Sequence, residues 1–250
     1  MIPKTIHYCW FGRKPLPDLA IKCINSWKKY LPEYEIKEWN EDNFDVNIIP
    51  YTKEAYESKK YAFVSDYARY WIIYNYGGIY FDTDVEIIKT IDDIIEKGAF
   101  LGCEIDINTN PNKSVGCNPG LGFGGISGHS FYFEILKQYE NLHFINNDGT
   151  YNLKTIVEYT TELLMVYGLQ NISSIQYISN IWIYPKEYFC PIDYETQTYN
   201  ATINTRTIHH FVGSWVPKEA TLPRLIRGYF GEKVLYFLVK IKQQLKYYVS

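Results

Sequence analysis

Two aspartates separated by one residue follow a short hydrophobic segment in the first half of the chain. The segment GGIYFDTDVEI, residues 77–87, is predicted to form a strand that delivers Asp82 and Asp84 at its end. Because residues i and i+2 of a strand point to the same face, both carboxylates can converge on one cation. Oxygen ligands suit Mg²⁺ or Mn²⁺, and such an ion neutralises a departing diphosphate. The alternative is an acidic turn in which one aspartate caps the backbone.

The segment immediately before this motif is predicted to be a helix with few polar side chains. Residues 62–76, AFVSDYARYWIIYNY, are apolar nearly all round, and Ser65, Asp66 and Arg69 share one stripe at helical spacing. A charged group on a largely buried helix needs a partner. Asp66 and Arg69 can pair with each other at i,i+3, or both can face a ligand. In the second case Asp66 would accept hydrogen bonds from sugar hydroxyls, and Arg69 would donate to oxygen atoms.

A histidine pair near the end of the chain provides a third polar group. It belongs to HHFVGSW, residues 209–215. Neutral imidazole can ligate Mn²⁺, and consecutive residues of a strand point to opposite faces. Only one of His209 and His210 can therefore join the two aspartates. The alternative is a histidine pair that binds no metal.

The composition narrows the class of protein that carries these residues. The chain has 250 residues, of which 46% are hydrophobic and 21% charged, as in ordinary globular domains. Its net charge of −3 argues against nucleic acid as a partner. The five cysteines are scattered and form no CxxC pair, so the pattern fits neither a disulfide framework nor a structural zinc site. The 25 tyrosines fit a polar ligand cleft, or reflect genome composition.

Strands and helices alternate in the elements that must position these residues. The predicted elements of the first half are strands over 5–10, 34–39 and 99–104, helices over 18–31 and 62–76, and the strand before the aspartates. This alternation predicts an α/β fold with a Rossmann-like, mainly parallel sheet flanked by helices. The second half is less regular, with helices predicted at about 128–141 and 152–167. We see no linker or repeat and predict one domain over residues 1–250.

The three motifs together resemble glycosyltransferase family 32. They are IPKTIHYCWFG, SDYARYWIIYNYGGIYFDTDVEII and HHFVGSW, and they occur in the order typical of the family. The family includes bacterial capsular-polysaccharide enzymes and yeast-type initiating mannosyltransferases, and it is related to the catalytic domains of clostridial glucosylating toxins. The resemblance implies a GT-A fold and a metal-dependent, retaining hexosyltransferase. The implied donor is a nucleotide sugar, with UDP expected, and the implied acceptor is a glycan or lipid-linked saccharide in surface polysaccharide biosynthesis.

The resemblance also implies which residues contact the donor. The matching positions are Trp10, Asp66, Arg69, Tyr80, Asp82, Ser214 and Trp215. Trp10 matches the aromatic residue that stacks on the donor base. Asp66 and Arg69 match the pair that grips the donor sugar, and Tyr80 matches a residue beside the donor. Ser214 and Trp215 match a closing loop that contacts the metal and the diphosphate.

The metal site follows from the same resemblance. Asp82 matches the carboxylate near the ribose, sugar and metal, and Asp84 matches the direct ligand to Mn²⁺ or Mg²⁺. HFVG resembles the HFxG of related retaining enzymes, which favours His210 over His209 as the third ligand. With Asp66 and Arg69, the two aspartates form the expected catalytic set. The Gly-rich residues 118–132 depart from the family pattern, so the residue that faces the β-side of the sugar is left open.

Two other function classes share part of this pattern. A haloacid-dehalogenase-like phosphatase also places DxD after an apolar strand, but it usually carries Thr or Val four residues after the first aspartate, where this chain has Glu86. A nucleotide-sugar or glycan-binding module without turnover would keep the pocket and lose the catalysis. The intact set of Asp82, Asp84 and His210 argues against such a module.

The C-terminal residues, about 231–248, are predicted to form a basic amphipathic helix. Residues 224–250 contain six basic side chains and one acidic side chain, interleaved with apolar positions. Such a helix can lie on an anionic membrane, or it can cover the core of the domain. The chain opens without the pattern of a secretory signal, and no apolar run approaches the roughly 20 residues of a membrane span. We therefore expect a cytoplasmic protein that can contact the inner face of the membrane peripherally.

Overall fold

Seventeen regular elements follow one another in the residues that the structure describes. The structure is a computed structural model, and it describes residues 1–107, 114–194 and 198–212. The helices within these ranges are α1 (Asp18–Tyr30), α2 (Pro50–Glu57), α3 (Tyr61–Tyr76), α4 (Asp92–Ile95), α5 (Ser130–Tyr139), α6 (Ile156–Val166) and α7 (Lys186–Phe189). The strands within them are β1 (Thr5–Cys9), β2 (Glu35–Trp39), β3 (Gly78–Tyr80), β4 (Val85–Ile87), β5 (Phe100–Ile105), β6 (Gly116–Cys117), β7 (Phe123–Gly125), β8 (Gln176–Ile178), β9 (Ile181–Tyr184) and β10 (Thr207–His209).

The main sheet has the strand order β2-β1-β3-β7-β5-β9-β8, with β6 paired to β5. β1 pairs in parallel with β2 and β3, and β5 pairs in parallel with β9. β7 runs antiparallel between β3 and β5. Five strands of the sheet (β2, β1, β3, β5 and β9) therefore share one direction. The predicted fold class, an α/β fold with a mainly parallel, Rossmann-like sheet flanked by helices, is confirmed.

Hydrophobic clusters cover both faces of this sheet. On one face Ile6 and Tyr8 of β1 join a cluster with Trp27 of α1, and on the other face Cys9 joins a cluster with Val64 of α3. A parallel strand that is covered on both faces is apolar at nearly every position. This explains why the first strand is recognisable in the sequence, and it leaves the carboxyl edge of the strands as the place where polar side chains collect.

Helix α3 and the turn after it place the DxD motif at that edge. The helix buries nine of its 16 residues. It ends at Gly77 and Gly78, with φ angles of 67° and 101°, as the sequence predicts. A side chain at residue 78 would place its Cβ 2.6 Å from the carbonyl oxygen of Thr5. Only glycine allows the chain to pass from α3 into β3 this close to β1. Asp82 then follows two residues after the end of β3.

Several sequence-based boundaries differ from the structure. Helix α1 starts at Asp18, as predicted, with Pro17 at the cap position, and it ends at Tyr30, one residue before the predicted end. Helix α2 is absent from the predicted elements, because it has few apolar residues. Helix α6 begins at Ile156, later than the predicted position of about 152, and its cap residue Thr155 forms a capping box with Glu158. The helix predicted at about 231–248 lies outside the described residues, and the single domain over 1–250 stays a prediction. Within the described ranges, none of the helices has the length and hydrophobicity to cross a membrane.

Candidate active site

A cavity of about 710 Å³ lies at the carboxyl edge of the parallel strands. Its wall contains residues from the ends of successive strands, including Trp10 after β1, Asp82 after β3, Glu104 near the end of β5 and Lys186 after β9. Ligand pockets usually measure about 300–1,000 Å³, and open α/β sheets bind ligands outside the carboxyl ends of their strands. The cavity therefore has the size and the position of a ligand site.

Asp82, Asp84 and His209 converge in this cavity. Each offers one ligand atom, and these atoms lie within 4.8 Å of one another. The antiparallel pairing of β10 with β4 sets His209 opposite Val85, so that its Nε2 lies 3.1 Å from Asp84 Oδ1. The backbone N–H of Val212 donates to the other oxygen of Asp84. Two carboxylates and one imidazole are a donor set that fits Mn²⁺ or Mg²⁺.

The neighbouring histidine, His210, contacts a different carboxylate. Nε2 of His210 is 2.9 Å from Oε2 of Glu86, which also accepts from Lys22. Adjacent residues point to opposite sides at this point of the chain, as expected for a strand, and β10 turns His209 toward Asp84. The expectation that His210 joins the two aspartates is therefore corrected in favour of His209.

His209 and Asp84 stabilise each other's charged forms. Burial raises the pKa of Asp84, but the nearby charge and hydrogen bond of His209 outweigh it and hold that pKa at about 2. Burial likewise lowers the pKa of His209, and Asp84 raises it above its ordinary value. The pair can therefore keep Asp84 ionised, which is the form that binds a cation.

Arg69 connects helix α3 to the DxD motif. Its Nη2 lies 3.1 Å from Asp66 Oδ1 and 3.2 Å from Asp82 Oδ1, and its side chain is only 5% exposed. Of the two alternatives for the α3 stripe, the structure contains the Asp66–Arg69 pair, and both side chains also line the cavity. Their contact with a ligand stays a prediction. Burial lowers the pKa of Arg69, but Asp82, Tyr80 and Asp66 raise it more. Burial raises the pKa of Asp66 to about 6 against the opposing effect of Arg69.

Tyr80 lies behind Asp82. The tyrosine is 1% exposed and its hydroxyl donates to Asp82 Oδ1 at 3.0 Å. Its ring also lies 5.1 Å from the guanidinium carbon of Arg69. The structure therefore places Tyr80 against Asp82 and not in the cavity wall, which does not fit the expected direct contact with a donor.

Trp10 lies at the β1 end of the cavity wall. It is partly exposed, and its indole N–H donates to the carbonyl oxygen of Lys14. Phe11 and Tyr61 line the same end. Tyr61 packs over Gly12, where a Cβ would lie 2.4 Å from the ring. This end presents aromatic surface, as the expected stacking on a base requires. Ser214 and Trp215 lie outside the described residues.

The structure adds polar residues that the motifs did not contain. Asn118 donates from Nδ2 to Glu104 Oε2 at 2.8 Å, and its Oδ1 accepts from the backbone N–H of Gly120 at 2.6 Å. The carbonyl oxygen of Gly120 in turn accepts from the backbone N–H of Asp82. A side chain at residue 120 would place its Cβ 2.1 Å from Asp82 Oδ2. Glu104 lies near the end of the apolar strand β5, and a carboxylate at a strand end is a signal that could have identified it. Lys186 has no such signal.

Known glycosyltransferases match parts of this chain. Residues 17–101 match a family model described as a glycosyltransferase sugar-binding region containing the DXD motif. An uncharacterised glycosyltransferase of Acanthamoeba polyphaga mimivirus is 27% identical over 253 residues, covering 96% of this chain and 92% of that protein. Inositol phosphoceramide mannosyltransferase 3 of Schizosaccharomyces pombe is 29% identical over 147 residues, covering 57% of this chain. This chain spans only 38% of that yeast protein.

Solved glycosyltransferase structures align with this chain at lower sequence identity than the sequence relatives. The PaToxG glycosyltransferase gives a TM-score of 0.49 with 17% identity, over 66% of this chain and 69% of that one. A glycosyltransferase involved in glycosylation of the major capsid of PBCV-1 gives a TM-score of 0.46 with 12% identity. That alignment covers 82% of this chain and 92% of the other. The family model and the sequence relatives agree with what the DxD motif and its surroundings indicate, and together they support a DXD glycosyltransferase.

Proposed function

We propose that this chain is a member of glycosyltransferase family 32 that moves a sugar from a nucleoside-diphosphate donor, preferably a UDP-sugar, to a glycan or lipid-linked saccharide. The observation that carries this proposal is the convergence of Asp82, Asp84 and His209 in the cavity at the sheet edge. The similarity of residues 17–101 to DXD sugar-binding regions supports it.

The donor would lie between the aromatic end of the cavity and the charged residues of α3. Trp10 would stack on the base, and Asp66 would accept hydrogen bonds from sugar hydroxyls. Arg69 and Tyr80 would hold Asp82 in place through its Oδ1 atom, since both contact that oxygen. Fixed polar groups of this kind lower the barrier because they need no reorganisation when charge develops.

Asp82, Asp84 and His209 would hold Mn²⁺ or Mg²⁺. When bound there, the ion neutralises the negative charge that develops on the departing diphosphate. The contact between His209 and Asp84 holds the two ligands side by side, and His209 would bind the ion in its neutral form. Ser214 and Trp215, by their match to the family, would close over the diphosphate.

We further propose that transfer retains the anomeric configuration. The carboxylates Asp66, Asp82 and Asp84 are engaged with Arg69 or His209, which disfavours their use as nucleophiles. Front-face attack fits this arrangement: the acceptor oxygen bonds to the anomeric carbon as the bond to the phosphate oxygen breaks, and the departing phosphate takes the acceptor's proton. The anomeric configuration of the product, read by NMR, tests this directly.

The proposed setting is surface polysaccharide synthesis in a bacterial cytoplasm, with peripheral membrane contact through residues 231–248. It derives from the family resemblance. The yeast relatives are named for mannose transfer to inositol phosphoceramide, so mannose and lipid-anchored acceptors belong in any screen of substrates.

A donor screen tests the proposed function. UDP-glucose, UDP-galactose, UDP-N-acetylglucosamine and GDP-mannose are incubated with the full chain, with Mn²⁺ or with EDTA, and release of the nucleotide is measured. We expect turnover of at least one donor with Mn²⁺ and none with EDTA. Tight donor binding without turnover would favour the binding module, and hydrolysis of p-nitrophenyl phosphate alone would favour the phosphatase.

A further inference from the structure

The cysteines share no motif in the sequence, but the fold brings two of them into contact. Cys103 of β5 and Cys117 of β6 are 14 positions apart, and their Sγ atoms lie 3.3 Å from each other. Both thiols are free, and the two residues are 3% and 0% exposed. The contact arises because β5 and β6 pair in antiparallel fashion with Cys103 and Cys117 as direct partners. Two thiols held this close are the reactants for a cross-strand disulfide.

The backbone hydrogen bonds around the pair show that its geometry suits such a bond. The N–H of Asn118 donates to the carbonyl oxygen of Gly102, whereas the N–H of Cys117 donates to Thr161 of α6. Cys103 and Cys117 therefore form a non-hydrogen-bonded pair, the type in which opposite Cα atoms are closest, at about 4.5 Å. Disulfides span Cα separations of about 4.4–6.8 Å, so side-chain rotation can bring the sulfur atoms to their bonding distance of about 2.05 Å.

The pair lies next to hydrogen bonds that lead to the DxD motif. Asn118 directly follows Cys117, and its Oδ1 accepts from the backbone N–H of Gly120. The carbonyl oxygen of Gly120 accepts in turn from the backbone N–H of Asp82. A covalent bond between Cys103 and Cys117 would therefore fix to β5 the segment that holds Asp82.

We propose that Cys103 and Cys117 form a redox modification site, which a low-molecular-weight disulfide such as glutathione disulfide converts to a cross-strand disulfide. One cysteine thiolate attacks a sulfur atom of glutathione disulfide and releases one glutathione thiolate. The second cysteine thiolate attacks the protein sulfur of the mixed disulfide and releases the other. One disulfide is reduced as one forms, and the two glutathione thiolates take up the two protons. The site is separate from the proposed sugar transfer, since it needs neither donor nor metal.

Burial of the thiols determines how this reaction proceeds. The hydrogen bond with Cys117 and the removal from water raise the pKa of Cys103 well above that of an ordinary thiol. The thiolate is the attacking form, so the native chain should react slowly and faster at alkaline pH. Local opening of the strand pair, or folding in the presence of the oxidant, gives glutathione disulfide access to the sulfur atoms.

Mass spectrometry of the full chain tests the modification. The chain is kept at alkaline pH with a mixture of reduced and oxidised glutathione, once as native protein and once through urea unfolding and refolding, and free thiols are then alkylated. Trypsin cleaves after Lys113, so a bond between Cys103 and Cys117 joins two peptides that dithiothreitol separates. We expect this linked pair in most molecules after refolding and in a growing fraction of the native chain, with the other three cysteines alkylated.

Stability against urea provides the second readout. A disulfide that closes a loop of this length should lower the unfolding equilibrium constant about 100-fold, so the oxidised chain should unfold at higher urea than the reduced chain. Cys103→Ala and Cys117→Ala should each lose this difference. Cys190→Ala is the matched control, because Cys190 is also a buried thiol but donates to the carbonyl oxygen of Ile192. It should keep both the linked peptides and the difference.

Three results would each overturn the proposed site. They are the absence of linked peptides after refolding, disulfides spread over the other cysteines, and a linked pair that leaves the urea midpoint unchanged or lower. The wild-type chain supplies the mass-spectrometric result, so a folding defect in a variant cannot obscure it. None of these measurements involves a sugar donor, so the outcome is independent of the donor screen.

Discussion

Arg69 on α3 lies 3.2 Å from the first carboxylate of the DxD motif, Nη2 to Asp82 Oδ1. The same nitrogen lies 3.1 Å from Asp66. One buried guanidinium thus contacts two carboxylates, one on α3 and one after β3. The contact gives α3 a role in the site as well as in the core, because it fixes the carboxylate that the proposed metal and donor both need.

Removing this guanidinium should destabilise the fold. Arg69→Ala leaves Asp66 buried without its cation, and we expect the free energy of unfolding to fall by about 3–5 kcal/mol. Adding Asp66→Asn should recover a large part of that loss, because it removes the unpaired charge. The control is Arg13→Ala, which breaks an exposed, solvent-screened pair with Asp42 and should leave the free energy of unfolding nearly unchanged. Urea unfolding of the four proteins measures this, and equal losses at positions 13 and 69 would contradict the buried role.

Gly120, which precedes β7, should be required for Mn²⁺-dependent turnover of the donor. Gly120→Ala would place a Cβ 2.1 Å from Asp82 Oδ2 and displace that carboxylate. We expect at least about a tenfold loss of Mn²⁺-dependent donor turnover, the effect of about 1.4 kcal/mol on the transition state. Gly116→Ala is the matched control, because its Cβ would meet Ile105 at an ordinary 3.5 Å. Similar turnover in the two variants would show that Asp82 is not held this closely.

Loss of Trp10 should weaken binding of the free nucleotide. Stacking of a base on an aromatic side chain contributes about 1–3 kcal/mol, so Trp10→Ala should weaken UDP affinity about 5- to 150-fold. Trp10→Phe keeps an aromatic face and should lose less. Isothermal titration with UDP and Mn²⁺ measures both variants. Unchanged affinity in Trp10→Ala would refute stacking by this residue.

His7 should make stability depend on pH. Its Nδ1 accepts from the indole of Trp39 and its Nε2–H donates to the carbonyl of Gly77, so the neutral form is the one that fits. Burial lowers the pKa of His7 to about 4, against an ordinary 6.5. The unfolded chain therefore takes up a proton first. Stability is complete above pH 6.5 and should fall by about 3 kcal/mol as the pH drops to 4.

The control for this titration is His7→Gln, whose amide can accept from Trp39 and donate to Gly77 without titrating. Denaturant unfolding at pH 7.5, 5.5 and 4.5 should show a smaller loss in the variant than in the wild-type chain. Parallel pH profiles for the two proteins would exclude His7 as the source of the effect.

The sequence predicts the donor side of the site because its residues lie in local patterns. Asp82 and Asp84 follow an apolar strand, in the turn between β3 and β4, and Asp66 and Arg69 stand out on an apolar helix. The choice between the two histidines required the pairing of β10 with β4, in which His209 lies opposite Val85, 124 positions earlier in the chain. No local pattern could indicate it.

The end of the cavity at β5 and β9 could not be predicted from local sequence patterns. Lys186 reaches it only because β9 adds to the sheet beside β5, so that residues from distant parts of the chain meet. Tyr80 matches a donor contact by its place before the motif, but β3 is covered on both faces of the sheet, so its side chain is buried. Helix α2 escapes prediction because tertiary contacts, rather than its own periodicity, stabilise it.

The most direct test of the central claim is Mn²⁺-dependent turnover of a nucleotide sugar by the wild-type chain and by Asp84→Asn, with the melting temperature measured alongside. Asp84 bonds to His209 and to the N–H of Val212, and the amide that replaces its carboxylate can still accept from the latter while the charge is lost. We predict that the wild-type chain turns over the donor with Mn²⁺ and not with EDTA, and that Asp84→Asn stays folded with turnover reduced at least about 100-fold. Full activity in the folded variant, or equal activity with EDTA, would contradict a metal-dependent glycosyltransferase site at Asp82, Asp84 and His209.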